Sequence, residues 1–304
     1  MNFADYENCR LCPRNCQVNR SVGMRGLCGE TEDCRIAAAV PHFGEEPSFS
    51  GRHGSGTLFF SGCSCRCFFC QNFQISLAGS GRTVSVAELE ALTRGMIERG
   101  VHNLNLVTPD HFWPHVRELC SRLRKRGVDV PLVYNCSGYQ RLDTVREAGG
   151  YIDIFLPDFK FSNSSLAERC MGDPRYPETA LEALKVMVEQ CGFLTPWDPA
   201  GKETARRGVL VRHLVLPGEI ENSTALLDLL FNTFGHELPL SLMSQFRPTP
   251  RCLNEGMFTR TLTREEYQAV LDRAEALGFD KVYTQPDFGD KAYLPDFERD
   301  EPFQ

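Results

Sequence analysis

The stretch TLFFSGCSCRCFFCQN, residues 57–72, decides the fold and the chemistry that the chain can support. A strand-like apolar run leads into three cysteines, Cys63, Cys67 and Cys70, with the spacing CxxxCxxC. Three thiolates can ligate three irons of a [4Fe–4S] cube and leave the fourth iron open, whereas clusters that only carry electrons are usually closed by four cysteines. The spacing therefore indicates an open cluster that can bind a ligand and pass it one electron.

Structural zinc or simple buried thiols are the alternatives for these three cysteines. Structural zinc usually takes four ligands, often as two CxxC pairs. Cys65 lies inside the motif and could be a fourth ligand. Alternation along a tight loop should instead point Cys65 away from its neighbours, so the open cluster is the favoured interpretation.

From residue 57 onward, strand-like apolar runs alternate with amphipathic helical stretches. Several of the runs are almost entirely apolar, as expected for parallel strands buried on both faces. The predicted strands are 57–60, 103–107, 132–135, 152–156, 209–216, 240–245 and 281–284. The predicted helices, two of which begin at capping boxes at Ser85 and Thr263, cover about 86–99, 112–126, 181–191, 226–234 and 263–277, with a short one at 141–148.

This order predicts an α/β protein with a parallel sheet and helices outside it. Six βα units and a terminal strand fit either a doubly wound sheet or an incomplete barrel, and periodicity does not choose between them. In both, reactive groups should lie at the carboxyl ends of the strands. Polar side chains do follow these ends, at Thr108–His111, Asn135–Gly138, Asp158–Lys160, Arg212 with His213, and Gln245.

Composition narrows the class of protein. The chain has 304 residues, 42% of them hydrophobic and 24% charged, with a net charge of -7. The acidic balance argues against a general nucleic-acid or membrane-surface binder. No apolar run approaches the ~20 residues of a membrane helix, and the first residues do not resemble a signal peptide. We therefore expect a cytoplasmic protein.

Cysteines are concentrated at the N-terminus. Nine of the fourteen precede residue 71, and clustered cysteines in a reducing compartment more often bind metal than form disulfides.

Residues 1–50 show little periodicity and predict a small Cys-rich domain held by metal rather than by a core, ahead of a domain at 51–304. Four of its cysteines could close a thiolate site for structural zinc or an auxiliary [4Fe–4S] cluster, or bind nothing: Cys9, Cys12, Cys16 and Cys28. Cys34 is a substitute ligand in that set, and the five scattered cysteines, Cys120, Cys136, Cys170, Cys191 and Cys252, are expected to be small apolar residues.

Taken together, these features resemble the radical S-adenosylmethionine (SAM) enzymes. The runs Cys70-Gln71-Asn72, Asp158-Phe159-Lys160 and 212–218 are similar to the pyruvate formate-lyase activating enzyme branch. The segment CRLCPRNC at 9–16, with Cys28, is similar to a sub-branch that has CxxCPxxC…C ahead of the cluster motif. The resemblance covers essentially the whole chain and implies a partial (β/α)6 TIM-like barrel.

The resemblance also implies roles for individual residues. SAM would chelate the open iron, and its reductive cleavage would give methionine and a 5′-deoxyadenosyl radical that abstracts a hydrogen atom. Cys63, Cys67 and Cys70 would hold the cluster, and Phe69 would lie near the adenine. Further contacts to the cofactor are expected from Thr108, Asn135, Ser137, Asp158, Lys160 and Arg212. A flavodoxin- or ferredoxin-type protein would supply the electron.

Two positions depart from the family pattern. Members often have Gly-Gly-Glu after the second strand, where the acid holds the SAM amino group; here Thr108 or backbone carbonyls must substitute. The third strand often ends Asp-Thr-Asn-Gly, and Asn135 stands in place of the acid. The loss of that charge puts a monovalent cation site near SAM in doubt.

Other polar residues have ordinary structural interpretations. Asp158 and Lys160 alone would suggest a surface salt bridge, although their place at the active face of a barrel favours a site. His213 is expected to be packed or to support a neighbour. His111 and His115, at i and i+4, could bind metal, but without a third ligand nearby we expect them on a solvated helix face.

The leading functional hypothesis is an activating enzyme that generates a glycyl radical on a partner enzyme. The first alternative is a radical SAM enzyme that modifies a small molecule or another protein. The second is a non-catalytic iron–sulfur or zinc protein that uses the barrel to bind a partner. No nucleic acid and no membrane are expected among the partners.

Overall fold

The computed structural model of the chain describes residues 3–286, 288, 294–299 and 301–303. Its strands are β1 Arg35–His42, β2 Ser55–Phe60, β3 Arg82–Thr83, β4 Leu104–Val107, β5 Leu132–Cys136, β6 Ile154–Pro157, β7 Gly208–Val209, β8 Val211–Leu214, β9 Leu240–Met243 and β10 Val282–Thr284. Its helices are α1 Pro47–Ser50, α2 Phe73–Ser76, α3 Val86–Glu98, α4 Trp113–Lys125, α5 Leu142–Ala148, α6 Ser164–Met171, α7 Tyr176–Cys191, α8 Ile220–Phe234, α9 Pro250–Glu255 and α10 Arg264–Leu277. Short 3-10 turns lie at Ala4–Tyr6, Arg20–Val22 and Asp110–Phe112.

The strands form an open, mostly parallel barrel. Strands β2, β4, β5, β6 and β7 pair in parallel in that order, and β8, β9 and β10 form a second parallel group. A parallel bridge between Asp158 and Arg212 joins the end of β6 to β8. Among the described strands, none links β10 back to β2, and β2 pairs instead with the antiparallel β1. The prediction of an α/β partial barrel with six βα units and a terminal strand is thereby confirmed.

The helices lie outside this sheet and pack against it with the apolar stripes that the sequence predicts. Both capping boxes form: Ser85 and Thr263 each accept from the backbone three residues on, where Glu88 and Glu266 reciprocate. Leu89 and Val270 are fully buried on the inner faces of α3 and α10. Burial of an aliphatic side chain stabilises by about 1.5–3 kcal/mol, so these faces hold the helices on the sheet.

The strand and helix pattern differs from the prediction in several details, among them the bounds of β7, β8 and α7. The predicted strand 209–216 is divided at Leu210, because β7 pairs with β6 whereas β8 pairs with β9. The chain thus changes partners where the sheet turns, which apolar periodicity does not reveal. Helix α7 begins at Tyr176 rather than near 181, since Pro177 is favourable in its first turn.

The N-terminal segment contacts the barrel closely. Strand β1 pairs with β2 over residues 36–42 and 55–60, and Tyr6 and Leu11 are buried in the same apolar cluster as the barrel helices. Helix α1 also reaches inward, where Phe49 packs against the barrel strands. Residues 1–50 therefore share apolar packing with the barrel, which the sequence pattern did not indicate. The division of the chain near residue 50 stays a prediction.

Candidate functional site

The carboxyl ends of the parallel strands surround a cavity of about 1120 Å³. Cys63, Cys67 and Cys70 line it from the loop after β2. The other predicted site residues that line the same cavity are Phe69, Thr108, Asn135, Ser137, Asp158, Lys160 and Arg212. The structure thus brings together the three cysteines and every side chain expected near SAM, while their roles stay predictions.

The cysteine loop is held by hydrogen bonds to sulfur. The backbone N–H of Cys65 donates to Cys63 Sγ at 3.4 Å, and the Ser76 hydroxyl donates to Cys70 Sγ at 3.2 Å. Such donors favour thiolate ligands and tune a cluster that the sulfurs hold. Three thiols on one cavity wall, two of them with such donors, have the chemistry that an open [4Fe–4S] cluster needs.

Protonated thiols must lose their protons to bind iron. The Cys65 side chain and burial raise the pKa of Cys63 well above its usual value. Burial and the nearby Cys63 raise the pKa of Cys70. Metal ligation requires thiolates, so cluster loading should release protons.

Cys65 is not placed as predicted. Its side chain lies within hydrogen-bonding reach of both Cys63 and Cys67 rather than pointing away from them. The loop departs from simple alternation because Arg66 adopts a left-handed backbone conformation, with φ of 50°. Proximity alone thus does not exclude Cys65 as a ligand.

Phe69 lies in an aromatic group beneath the cysteine loop. Its ring meets Phe161, Phe246 and Phe258 edge-on, with centroids 5.7 to 6.3 Å away. Edge-to-face contacts fix ring orientation. The cavity therefore has one rigid aromatic wall beside the last cysteine of the motif.

The ends of β4 and β5 meet at Thr108. This residue has φ of 55°, a left-handed conformation that is unusual for a β-branched side chain. Its backbone N–H donates to Asn135 O at 2.8 Å. Strain of this kind persists where the surrounding structure imposes it and is common at functional sites.

Asp158 and Lys160 form an ion pair inside the cavity wall rather than on the surface. Their side chains are only 27% and 20% exposed. Burial tends to lower the pKa of Lys160, but Asp158 and Cys67 raise it well above its usual value. Lys160 is therefore a fixed positive charge close to the cluster loop.

Arg212 has two acidic partners that sequence reasoning missed. Glu45 and Glu46, from the turn before α1, both pair with its guanidinium, and all three side chains are nearly buried. Glu45 also accepts from Asn105 Nδ2 at 2.8 Å. Burial raises the pKa of Glu46, but Arg212 lowers it below its usual value overall. Because the contact spans more than 160 residues of sequence, no local pattern could have indicated it.

The three histidines considered in the sequence analysis are structural. His213 is buried, with Nδ1 at 2.8 Å from Phe159 O and Nε2 at 2.8 Å from Ser223 Oγ, so its expected packed role is confirmed. The expectation of a solvated face for His111 and His115 is wrong. His111 is buried against Ser61 O, and His115 Nδ1 bonds the Tyr6 hydroxyl at 2.8 Å, because the N-terminal segment covers this helix. The scattered cysteines Cys120, Cys136, Cys170, Cys191 and Cys252 are all buried, as predicted for small apolar residues.

The N-terminal cysteines lie directly against the cluster loop. The backbone N–H of Cys63 donates to Cys28 O at 3.3 Å. Gly62 permits this approach, since a Cβ there would stand 2.8 Å from the same oxygen. Arg14 donates to Ser64 O at 2.9 Å and to Cys65 O at 3.3 Å. The two cysteine sets are therefore joined through backbone hydrogen bonds.

As placed in the described part of the chain, no three His, Cys, Asp or Glu side chains are close enough together to hold one metal ion. This applies equally to Cys63, Cys67 and Cys70 and to the N-terminal set. A [4Fe–4S] cube puts each thiolate on a separate iron, so its ligands need not converge as those of a single ion do. Within the described residues, no helix has both the length and the apolar character needed to cross a bilayer.

Comparison with known proteins gives the following likenesses. An uncharacterised protein of Methanocaldococcus jannaschii is 26% identical over 285 residues, covering 91% of this chain and 77% of the relative. Streptococcus suis SuiB bound to its precursor peptide SuiA has a TM-score of 0.49 at 13% identity, over 73% of this chain and 46% of that one. A domain of a pyruvate-formate lyase-activating enzyme from Bacteroides vulgatus has a TM-score of 0.40 at 15% identity, over 57% of this chain and 92% of that one.

The chain spans less than half the length of SuiB. At TM-scores below 0.5, neither structural likeness bears on what this chain acts upon. The family match is more direct: the model described as the radical SAM superfamily matches residues 57–193, from β2 through the cysteine loop to the residues after α7. Residues 57–193 therefore form a domain of the radical SAM superfamily.

Proposed function

We propose that this chain cleaves SAM at a [4Fe–4S] cluster and uses the resulting radical to activate a glycyl radical enzyme. One observation carries the proposal: Cys63, Cys67 and Cys70 share a cavity wall with Asp158, Lys160 and Arg212 at the carboxyl ends of parallel strands. That is the edge where barrels of this kind assemble their reactive groups. The radical SAM domain implies both the cluster and SAM.

The residues present fit the cofactors. Cys63, Cys67 and Cys70 would hold three irons, and the cluster would supply the electron that splits SAM into methionine and a 5′-deoxyadenosyl radical. Lys160 offers a fixed positive charge to a carboxylate. The Phe69 wall offers an apolar surface to adenine. The carbonyls near Thr108 offer acceptors to an ammonium group, in place of the acid that the activating enzymes often have there.

The proposed substrate is the Cα–H of a glycine in a partner enzyme. The radical would take that hydrogen atom, giving 5′-deoxyadenosine and a glycyl radical, while a reduced flavodoxin- or ferredoxin-type protein would supply the electron. Support comes from sequence similarity to the activating-enzyme branch at Cys70-Gln71-Asn72, at Asp158-Phe159-Lys160 and at 212–218. An open cavity at the strand ends is compatible with entry of a glycine-bearing loop.

Modification of a small molecule or another protein is the second candidate. Thr108 and Asn135 stand where the activating enzymes often carry acids, and Thr108 is held in a strained conformation. The SAM-binding end of the cavity is thus built differently from theirs, which favours a different substrate.

The test uses the anaerobically reconstituted, reduced full-length chain with SAM. We expect 5′-deoxyadenosine to form, and Cys67→Ala to abolish it. Absence of the product from the intact, iron-loaded chain would refute both candidates. Mixing with a glycyl radical enzyme from the same organism should then give the glycyl radical signal by electron paramagnetic resonance. Deoxyadenosine formation without that signal would refute the first candidate and favour the second.

A further inference from the structure

Arg20 is a buried cation without a carboxylate partner. It is 0% exposed, and its guanidinium donates to Thr31 O at 3.0 Å and to His111 O at 2.6 Å. The rings of Tyr6 and Phe112 cover it at 4.6 and 5.4 Å. Among the described residues no carboxylate lies within ion-pair distance of Arg20. The nearby Glu30 pairs with Arg35 instead, at 3.2 Å. Carbonyls and rings solvate the ion but do not neutralise it, and an uncompensated buried charge is costly.

The remaining partner of Arg20 is a thiol. Its Nη1 lies 3.7 Å from Cys9 Sγ, and Cys28 is also among the groups that act on it electrostatically. A neutral thiol would leave the guanidinium charge unbalanced. A thiolate would balance it, and cysteines that bind metal are thiolates.

Each of the four N-terminal sulfurs also has an N–H donor. Arg20 donates to Cys9. The backbone of Leu27 donates to Cys16 Sγ at 3.5 Å. At Cys12 and Cys28, burial raises the pKa of each thiol, and the backbone N–H groups of Arg14 and Glu30 offset part of that rise. Thiols accept hydrogen bonds weakly, whereas hydrogen bonds to an ionised acceptor are about twice as strong as neutral ones. These donors therefore favour the thiolate forms that metal binding requires.

The backbone folds these sulfurs into one region. Left-handed residues at Asn15 and Gln17, with φ of 46° and 58°, turn the chain on both sides of Cys16. At Gly26, a Cβ would meet Cys16 Sγ at 3.4 Å and Cys28 Sγ at 3.5 Å, so both sulfurs face the same point. On the opposite side, the N–H of Gln17 donates to Cys9 O at 2.9 Å and closes the loop.

We propose that Cys9, Cys12, Cys16 and Cys28 hold a second metal centre as thiolates, with Arg20 as its buried counter-charge. A [4Fe–4S] cluster fits this set better than a zinc ion, because each thiolate binds a separate iron, whereas no three of the side chains converge on one point in the described part of the chain. The Cys28–Cys63 hydrogen bond and the Arg14 contacts make this centre a support for the cluster loop. The proposal does not depend on which substrate the enzyme modifies.

The first experiment separates the two centres by metal content. In the full-length Cys63→Ala/Cys67→Ala/Cys70→Ala variant, purified anaerobically, we expect about four irons with sulfide per chain, whereas about one zinc in place of iron would contradict the cluster assignment. Cys12→Ala/Cys16→Ala in the wild-type background should lose that complement only. Cys34→Ala is the matched control, because Cys34 is a buried cysteine of the same segment but lies outside the set, and it should retain both complements. A folded triple variant that binds neither metal would overturn the proposal.

The second experiment needs no cysteine substitution. In the wild-type chain, alkylation followed by mass spectrometry should find Cys9, Cys12, Cys16 and Cys28 protected, and metal chelation should expose them together. Equal modification before and after chelation would overturn the proposal. The alkylation pattern also shows which cysteines are ligands. If Cys34 were protected in place of one of the four, the assignment of ligands would be wrong.

The third experiment tests Arg20 as the counter-charge. We expect Arg20→Gln to lose metal to a chelator at least tenfold faster than wild type, and Arg20→Lys to recover part of that difference. If the centre is iron–sulfur, Arg20→Gln should also lower its reduction potential, because removal of a positive charge disfavours the reduced state. If Lys and Gln behaved alike while both variants stayed folded by circular dichroism, Arg20 would be a packing residue only.

Discussion

The phenolic oxygen of Tyr176 accepts a hydrogen bond of 2.8 Å from the backbone N–H of Lys160. The same hydroxyl can donate to Ser137 O at 2.8 Å or to Asp158 O at 2.9 Å. One side chain from the start of α7 thus ties the end of β5 to the end of β6. Gly138 permits this close approach of the strand ends, since a Cβ at that position would strike Asp158 O. Tyr176 therefore sets the position of the Asp158–Lys160 pair without lining the cavity itself.

Tyr176→Phe should weaken both stability and activity. The change leaves the N–H of Lys160 without its acceptor in a buried site, which costs about 1–3 kcal/mol. Misplacement of a positioning group by an ångström can cost about 100-fold in rate, so we expect 5′-deoxyadenosine formation to fall at least tenfold at unchanged iron content. Urea unfolding and the deoxyadenosine assay measure the two effects.

Tyr139→Phe is the control for that experiment. Tyr139 stacks on Tyr176 with centroids 6.1 Å apart, but its hydroxyl bonds Asp173 instead of the strand ends. It should lose comparable stability and keep its rate of deoxyadenosine formation. Equal loss of activity in both variants would show that general destabilisation, and not the position of Lys160, is responsible.

The ion pairs of Arg212 should be strongly coupled. Removal of one partner from a buried pair costs about 3–5 kcal/mol, because the other charge stays uncompensated. Arg212→Gln leaves Glu45 and Glu46 facing each other, so we expect a loss in that range. The double variant Arg212→Gln/Glu46→Gln should be more stable than Arg212→Gln alone, because it removes one of the two remaining charges. Denaturant unfolding of the four proteins in the cycle gives the coupling energy.

A matched cycle at Glu90 and Arg126 serves as reference. Glu90 is 6% exposed and pairs with Arg122 and with Arg126, but Arg126, at the end of α4, has a side chain that is more than half exposed. Solvent screens such a pair, and exposed pairs are worth about 0–1 kcal/mol. If the coupling energy at Arg212 were no larger than that at Arg126, water would have to reach the Glu45–Glu46 turn.

Local sequence patterns predict the order of strands and helices in this protein well and the contacts between side chains of different elements poorly. Strands such as β5 and helices such as α10 follow from apolar periodicity and capping, which are properties of neighbouring residues. The polar strand ends are predictable too, because parallel strands deliver their carboxyl ends to one edge. Strand β1 gave no such signal, since only Ile36 in it is buried and the strand is held by its pairing with β2.

The site partners that sequence reasoning missed lie outside any local sequence pattern. Glu45 and Glu46 lie more than 160 residues before Arg212, and Tyr176 reaches Lys160 across α6. The buried Arg20 looked like one more charge in a polar segment. Its importance depends on what surrounds it, and only the folded chain places Cys9 and two aromatic rings there.

Acid should destabilise the protein partly through His213. Burial lowers the pKa of His213 from its usual value near 6.5 to about 4. The neutral ring is therefore favoured in the folded state. The contribution of the neutral His213 ring to the free energy of unfolding is complete above pH 6.5 and is lost as the pH falls from about 6.5 toward 4. A shift of that size is worth up to about 3 kcal/mol.

The measurement is urea unfolding under anaerobic conditions at pH 8, 6.5 and 5. His213→Gln should be less stable than wild type at pH 8, because Phe159 O and the Ser223 hydroxyl lose their partner. The difference between the two proteins should shrink by more than 1 kcal/mol at pH 5, since the variant has no imidazole to protonate. A difference that stays constant with pH would rule out His213 as a source of the acid sensitivity.

Cys65 offers the sharpest test of the cluster ligands, because its side chain lies beside both Cys63 and Cys67. The CxxxCxxC spacing assigns ligation to Cys63, Cys67 and Cys70, and the donor to Cys63 Sγ is the backbone N–H of Cys65, which substitution retains. Cys65→Ala should therefore keep its cluster irons and its deoxyadenosine formation within about twofold of wild type, since a small buried change of this kind costs about 1 kcal/mol. Cys63→Ala, the matched variant two residues away, should lose the cluster and all cleavage of SAM. Iron content, the visible absorption of the cluster and the deoxyadenosine assay report both outcomes. If Cys65→Ala lost its cluster while Cys63→Ala retained one, the loop would use the spacing Cys65, Cys67 and Cys70, and the assignment of the open iron to the CxxxCxxC motif would be wrong.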